Sequence, residues 1–318
     1  MTVITELKEQ IKTALPDLDM VIGWERGFDP LHATPLFMRK AQDVERLELG
    51  PLAVHNTATY LTGFKGKKVG LVVKGCDSRA VIQLLQEGLI DRENVVIFGF
   101  PCQGVVDMVK VQKHLGNTGL VREVQIQDSS LKVKVNGEER DLALKDVLAD
   151  KCARCRYPNA MLYDHFAGQP IEPHASEDKY QDVEELESLS LEERFQHWER
   201  EMHRCIRCYA CRNACPMCVC RDHCVAQSRQ PQWLTQEDSV REKWMFQVIH
   251  AMHLAGRCVE CGECQRACPM DIPIMALKRK LNREARELFN YEAGVDPNET
   301  APLLSFKVEE ENINERGW

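Results

Sequence analysis

The chain has 318 residues, 44% of them hydrophobic and 28% charged, which is enough apolar surface for one large domain or two to three smaller ones. The net charge of −8 argues against nucleic acid as a partner. No stretch reaches the roughly 18 apolar residues of a membrane span, and the opening MTVITELKEQIKTALP lacks a basic segment followed by an apolar run. The expectation is a cytoplasmic protein without direct membrane insertion.

Strand and helix signals begin at residues 68–73 (KVGLVV), a short apolar run. In the following KGCDSRAVIQLLQEGLI, Asp77 or Ser78 is placed to cap a helix with Val81, Leu84 and Leu85 at helical spacing. Residues 94–100 (NVVIFGF) read as the next buried strand, so strand, helix and strand predict a parallel unit. Residues 122–142 alternate apolar and polar around Asn136-Gly137, a hairpin signal, which makes the expected sheet content mixed.

Residues 172–193 (EPHASEDKYQDVEELESLSLEE) are acidic and read as a linker that turns helical at its end. Beyond it, residues 234–257 predict an amphipathic helix with Trp244, Val248, Met252 and Ala255 on one side, ending at Gly256. A second helix is predicted over 274–289, after Pro273, and a polar tail from Asn290 that wraps a partner or the body of the chain. The expected fold class is therefore an α/β N-terminal domain with a mixed sheet, followed by a mainly α-helical ferredoxin domain. The expected division is 1–170, an acidic linker at 171–195, the helical domain at 196–285 and a tail at 286–318.

Fifteen cysteines carry most of the functional signal. Short fixed spacings in a chain without secretion signals favour metal ligation over disulfides. Cys205, Cys208, Cys211 and Cys215-Pro216 form C-x2-C-x2-C-x3-C-P, and Cys258, Cys261, Cys264 and Cys268-Pro269 repeat it. This doubled motif is the signature of two [4Fe–4S] clusters, in which each fourth cysteine binds the other cluster. One predicted ligand set is Cys205, Cys208, Cys211 and Cys268; the other is Cys258, Cys261, Cys264 and Cys215. Zinc is the competing chemistry, but zinc sites use paired C-x2-C elements rather than quartets ending in proline. The long helix between the motifs, and CVECGECQRACPMDIPI itself, resemble the α-helical ferredoxins of heterodisulfide reductase and succinate dehydrogenase iron–sulfur subunits.

Four further cysteines lie in the N-terminal half. Cys76 and Cys102 each follow a predicted strand, so both fall at the carboxyl edge of the sheet, where α/β folds place their sites. Cys152 and Cys155 supply a C-x2-C pair. Spacing alone leaves two readings open: a third [4Fe–4S] cluster, or small core residues beside a redox or zinc pair. KGCDSRAVIQLLQEGLI, FGFPCQG and KCARCRYPNAMLYDHFAG, within residues 55–170, resemble the beta-subunit family of coenzyme F-420 hydrogenases and dehydrogenases, which includes formate dehydrogenase beta subunits. Phe100 stands where that family often has threonine, and the ferredoxin module here follows the family domain instead of preceding it. The resemblance implies one cluster and FAD in this domain, passing electrons between a two-electron carrier and one-electron clusters.

From the residues themselves the flavin signal is faint. Lys74, Gly75, Ser78 and Arg79 occupy a strand-to-helix turn of the kind that binds phosphate, with Lys65, Lys67 and Lys68 nearby. A solvated basic loop explains the lysines equally, and there is no G-x-G-x-x-G fingerprint. Cys218, Cys220 and Cys224 remain over; they read as free thiols near a cluster, or as ligands with His223. His197, His203, His250 and His253 show no ligand spacing of their own. No catalytic triad or molybdenum-type fingerprint is present. The expected function is that of an iron–sulfur electron-transfer subunit, partnered by the other subunits of a redox complex such as a formate dehydrogenase, a hydrogenase, or a heterodisulfide-reductase-like or methylenetetrahydrofolate-reductase-like assembly. Two alternatives stand beside it: an FAD-containing enzyme subunit exchanging hydride with a deazaflavin or nicotinamide coenzyme, and a zinc-stabilised scaffold.

Overall fold

The five residues Val69–Val73 are all buried, as a strand covered on both faces must be, and they form the centre of a five-stranded sheet. The computed structural model describes residues 2–116, 121–127, 129–220, 223–226 and 232–306. Helix α1 (Val3–Ala14) is capped by Thr2 and precedes strands β1 (Met20–Arg26) and β2 (Ala33–Met38). Then come β3 (Val69–Val73), helix α2 (Gly75–Gln86) and β4 (Val95–Gly99). The sheet order is β2-β1-β3-β4, closed at the far edge by the short strand His165–Phe166; only the β1–β2 pair is antiparallel. The sheet is mixed, as expected, but it begins earlier than the sequence reading has it. Pro35 breaks the strand signal of β2, and the structure tolerates it because β2 is an edge strand.

A second sheet of three antiparallel strands, Val121–Gln127, Ser130–Val135 and Glu138–Ala143, packs with helix α3 (Met108–Leu115) around its own small core. Its second hairpin turns at Asn136 and Gly137, with φ of 51° and 89°, the left-handed pair that the Asn-Gly signal predicts.

The C-terminal half is helical. Helix α4 (Leu191–Arg204) opens with a reciprocal cap: Ser190 Oγ accepts from the Glu193 amide, and the Glu193 carboxylate accepts from the Ser190 amide at 2.9 Å. Helices α5 (Val240–Met252) and α6 (Ile274–Phe289) complete the frame. The buried face of α5 differs from the expected stripe. Val248 and Met252 are exposed and Trp244 is half-buried, whereas Lys243, Phe246, Gln247, Ile249 and His250 point inward. The reason is chemical: this helix faces cysteine loops, so polar donors lie on the side that hydrophobic periodicity assigns to solvent.

The two halves share one apolar core. It runs from Leu71, Val73 and Val81 of the sheet layer to Trp198, Phe246, Val259 and Ile272 of the helical layer. The acidic stretch is not a free tether. Its helix Gln181–Glu187 lies along α6, and Glu187 pairs with Arg283 at 2.8 Å. The segment after Asn290 returns to α2: the Tyr291 hydroxyl meets Gln83 at 3.1 Å, and Arg79 donates to the Ala293 carbonyl at 2.7 Å. The part of the predicted tail beyond residue 306 lies outside the described residues.

Gly75 marks where the C-x2-C loop locks onto α2. A Cβ there would overlap the Tyr157 carbonyl, which is backbone and cannot swing aside. Gly75→Ala is therefore expected to destabilise the fold by about 1–3 kcal/mol, the range for overpacking. Thermal melting checks this; an unchanged midpoint would show the loop to be loosely held.

Candidate iron–sulfur centres

The two C-terminal motifs repeat in backbone as well as in sequence. Arg207 and Tyr209 take left-handed φ of 53° and 57°; Glu260 and Gly262, at the same places in the second motif, take 55° and 73°. Each motif then enters a one-turn helix, Ala210–Asn213 or Glu263–Arg266. The left-handed residues turn the chain within each two-residue gap, so successive thiols converge. They also aim amides at sulfur: Arg207 toward Cys205, Glu260 toward Cys258 and Glu263 toward Cys261. Such N–H donors suit a thiolate bound to iron.

Cys205, Cys208, Cys211 and Cys268 line one cavity, walled by Phe246, Ile272 and Ile274. Three of these cysteines come from the first motif and the fourth from the second. Gln247 donates to Cys211 Sγ at 3.7 Å. Cys215 faces the other way and lies beside Cys258, Cys261 and Cys264. Cys268 thus lies in the cavity of the first motif, and Cys215 lies on the side of the second. Burial pushes the Cys211 thiol up to about 11, and raises Cys258, Cys261 and Cys264 as well. Unmetallated, these thiols stay protonated, so iron binding has to release their protons.

Cys76, Cys102, Cys152 and Cys155 line a third cavity. Cys76 sits in the first turn of α2 and Cys102 follows β4, so two adjacent parallel strands deliver both to the same sheet edge. The Gly104 amide donates to Cys102 Sγ at 3.4 Å, and the Val105 amide to Cys152 Sγ at 3.3 Å. Lys74, Arg79, Lys151, Arg154 and Arg156 line the cavity against Asp178, Glu260 and Glu292, so cations outnumber carboxylates in its wall, although Arg79 and Arg156 pair with Glu292. Four convergent thiols, amide donors to sulfur and a cationic wall fit an anionic cubane. Val259 and Glu260 of the second motif share that wall, and Lys151 donates to the Cys261 carbonyl. The third cavity thus abuts the second motif directly.

The strand-to-helix turn does not fit a flavin phosphate. The Lys74 ammonium donates to the carbonyls of Ala53 and His55, both at 2.9 Å, pairs with Asp77 at 3.1 Å and lies over the Trp24 ring. The Asp77 carboxylate accepts from the Lys74 amide, capping the helix from within. Gly75 is covered by the Tyr157 carbonyl, and Ser78 Oγ is held between the Gly75 carbonyl and the Met161 amide. Arg79 is spent on Ala293 and Glu292. Of the expected cofactor-binding residues Lys74, Gly75, Ser78 and Arg79, the Lys74 ammonium and the Ser78 hydroxyl are thus engaged within the chain, while Lys74, Gly75 and Arg79 also line the N-terminal cysteine cavity. Lys65, Lys67 and Lys68 are exposed.

Of the remaining cysteines, Cys218 lies with Cys215 and His250, their ligand atoms all within 4.8 Å of one another. His223 is exposed and is not part of that group. A divalent cation there is opposed by the Lys278 ammonium, which bears on both His250 and Cys215. Cys224 is buried and accepts from Arg212 Nε at 3.1 Å; Cys220 neighbours it.

Sequence reasoning passed over the buried polar face of α6, formed by Lys278, Arg279 and Asn282. Asn282 donates to the Cys258 carbonyl at 2.7 Å and to Glu260 at 2.9 Å, fixing the second motif. The signal was there, since these residues continue the spacing of Ile274, Met275 and Ala285, but three charged or amide side chains read as solvent-facing.

A family model described as a 4Fe-4S dicluster domain matches residues 201–272, which span both motifs. Those residues form a [4Fe–4S] dicluster domain. Beyond it, the chain is 24% identical over 350 residues to a protein of Methanocaldococcus jannaschii named F420-dependent formate dehydrogenase subunit beta, with 91% of this chain and 90% of that one covered. It is likewise 24% identical over 351 residues to F420-dependent formate dehydrogenase 1 subunit beta of Methanococcus maripaludis, covering 90% and 89%. Along nine-tenths of its length the chain is similar to these beta subunits. A chain of the F420-reducing [NiFe] hydrogenase complex from Methanosarcina barkeri aligns with a TM-score of 0.38 at 16% identity, over 49% of this chain and 62% of its own length. Among the described residues no helix is long and apolar enough to cross a membrane.

Proposed function

We propose that this chain is the electron-relay subunit of a multi-subunit oxidoreductase of the formate dehydrogenase or F420-reducing hydrogenase kind, with three [4Fe–4S] clusters in a row. The observation that carries the reading is the shared wall: Val259 and Glu260 of the second motif line the N-terminal cysteine cavity, and Cys268 of the same motif lines the cavity of the first. The assigned ligand sets are Cys76, Cys102, Cys152 and Cys155; Cys258, Cys261, Cys264 and Cys215; and Cys205, Cys208, Cys211 and Cys268. In this reading residues 1–170 form one terminal domain of the relay, 171–195 a clasp and 196–285 the ferredoxin module.

A bound [4Fe–4S] cluster supplies one-electron storage. The chain's own residues supply the setting. Phe246, Ile272 and Ile274 keep water from the first-motif cavity, and the loop amides hold the sulfurs in place. Cys208 is exposed and is flanked by Ile206, at 60% exposure, which suits a contact with a partner. That outlet and the acidic surface charge are compatible with a soluble or a membrane-associated complex.

A second reading, hydride exchange with a deazaflavin through bound FAD, is favoured by the names of the relatives. The two separate on anaerobically purified protein with its co-eluting partners. Bleaching of the cluster absorbance on addition of formate or reduced deazaflavin to the complex, and none with the isolated chain, supports the relay. Flavin absorbance together with deazaflavin-dependent dye reduction by the isolated chain supports the second reading instead.

A further inference from the structure

Among the described residues no carboxylate pairs with Lys278. This lysine lies in the second turn of α6, is 1% exposed, and its Nζ is buried with no hydrogen-bond partner. A buried ammonium left in this state costs several kcal/mol in order of magnitude. Its neighbour Arg279 is fully matched, by Asp178, Asp182 and Glu260. Lys151, half-buried beside the second motif, donates to the Cys261 carbonyl, and the buried Lys243 beside the first pairs with Asp238 at 2.7 Å. Lys278 has instead the sulfurs of Cys264, Cys258 and Cys215 from one quartet and of Cys211 from the other. One turn further along the same buried face of α6, Asn282 donates to the Cys258 carbonyl at 2.7 Å, so this face lies against the second cysteine loop. Glu260, the carboxylate next to this site, is already engaged by Arg279 and Asn282.

We propose that Lys278 is the counter-cation shared by the two clusters of the ferredoxin module, and that it holds their reduction potentials up. A cubane with four thiolate ligands is anionic and becomes more so on reduction. A fixed positive charge between two such groups favours the reduced state of each, strongly so where water is excluded. The same charge explains why a lysine is buried where an apolar residue would pack with less cost: its partner is the pair of clusters. The larger effect falls on the cluster of Cys258, Cys261, Cys264 and Cys215, three of whose sulfurs bear on Lys278. Lys278 is a positioning and tuning residue and undergoes no chemistry itself. The proposal rests on the crossed ligand assignment given above.

The test uses the full chain, purified anaerobically, as Lys278→Met and Lys278→Arg beside the unaltered protein. Iron content is measured and the clusters are titrated by EPR-monitored reduction. Lys278→Met is expected to keep its iron and to take up an electron at least tenfold less readily at one cluster, which for a one-electron couple is about 59 mV lower. Lys278→Arg is expected to stay close to the unaltered protein. If Lys278→Met fails to load while Lys278→Arg loads, the charge is needed to hold the anionic clusters, which also supports the proposal. Unchanged potentials in Lys278→Met overturn it. So does failure of both variants to load, because the site would then require the shape of lysine and not its charge. The crossed assignment is read separately, from which signal disappears in cysteine variants, so either idea can fail without the other.

Discussion

Replacing Cys215 should remove the cluster of the second motif and spare that of the first, although Cys215 belongs to the first motif in sequence. Its sulfur lies with Cys258, Cys261 and Cys264, while the cavity of Cys205, Cys208 and Cys211 is completed by Cys268. Cys218 sits beside Cys215 and could take over as ligand, so Cys215→Ala is made together with Cys218→Ala. The expected loss is about four irons per chain. The remaining EPR signals should match those of Cys258→Ala and differ from those of Cys205→Ala. The reciprocal Cys268→Ala should match Cys205→Ala. Pairing of Cys215 with Cys205 in this comparison would show that each motif closes its own cluster. The exchange also makes each cluster a tie between the motifs, so loss of either should lower the melting temperature of the whole helical module.

The second large effect is expected at Arg279. Its guanidinium is 1% exposed and donates to Asp178 at 2.6 and 2.9 Å, to Asp182 at 2.7 and 2.8 Å and to Glu260 at 2.5 Å, with the Tyr180 ring 4.7 Å away. One side chain thereby joins the acidic clasp, helix α6 and the second cysteine motif. Arg279→Leu would remove the guanidinium that all three carboxylates share, and breaking a buried ion pair in this way typically costs about 3–5 kcal/mol. The midpoint of thermal unfolding should fall by many degrees, and Arg279→Lys should recover only part, since a point charge cannot bond three carboxylates in a plane. The acid limb should move as well. Burial acts to raise the Asp178 carboxyl, but hydrogen bonds from Arg279 outweigh it and hold the group below its usual 3.8. A carboxyl depressed in the folded state stabilises the protein fully above pH 3.8, and this contribution is lost as pH falls through the folded value. Without Arg279 burial is no longer outweighed, so this acid-dependent loss should shrink and stability should change less with pH below 3.8. A melting profile and acid midpoint equal to those of the unaltered protein would show the cluster of charges to be incidental.

Cysteine spacing carried the site far better than apolar periodicity carried the fold. The quartets were legible because iron–sulfur chemistry fixes residue type and gap together, and no packing alternative produces the same pattern twice. The parallel unit around Val69–Val73 and Val95–Gly99 was legible for a related reason: strands buried on both faces are unbroken apolar runs. Strand β2 was missed because an edge position lets it carry Pro35. The facing of α5 was illegible because Gln247 and His250 turn toward sulfur instead of water, and the buried Lys243 pairs with Asp238. The same blindness hid Lys278 and Arg279, whose charges are matched by groups distant in sequence. The partners of Lys74 were equally illegible: a strand-to-helix turn suggests a phosphate ligand, and only the fold brings the Ala53 and His55 carbonyls to its ammonium.

Three cubanes or two is the point on which the relay reading turns, and iron and acid-labile sulfide per chain measure it directly. The anaerobically purified protein should hold about twelve of each, falling to about eight when Cys102 and Cys152 are both replaced by alanine. About eight in both proteins, or zinc without sulfide in either, would contradict the three-centre relay.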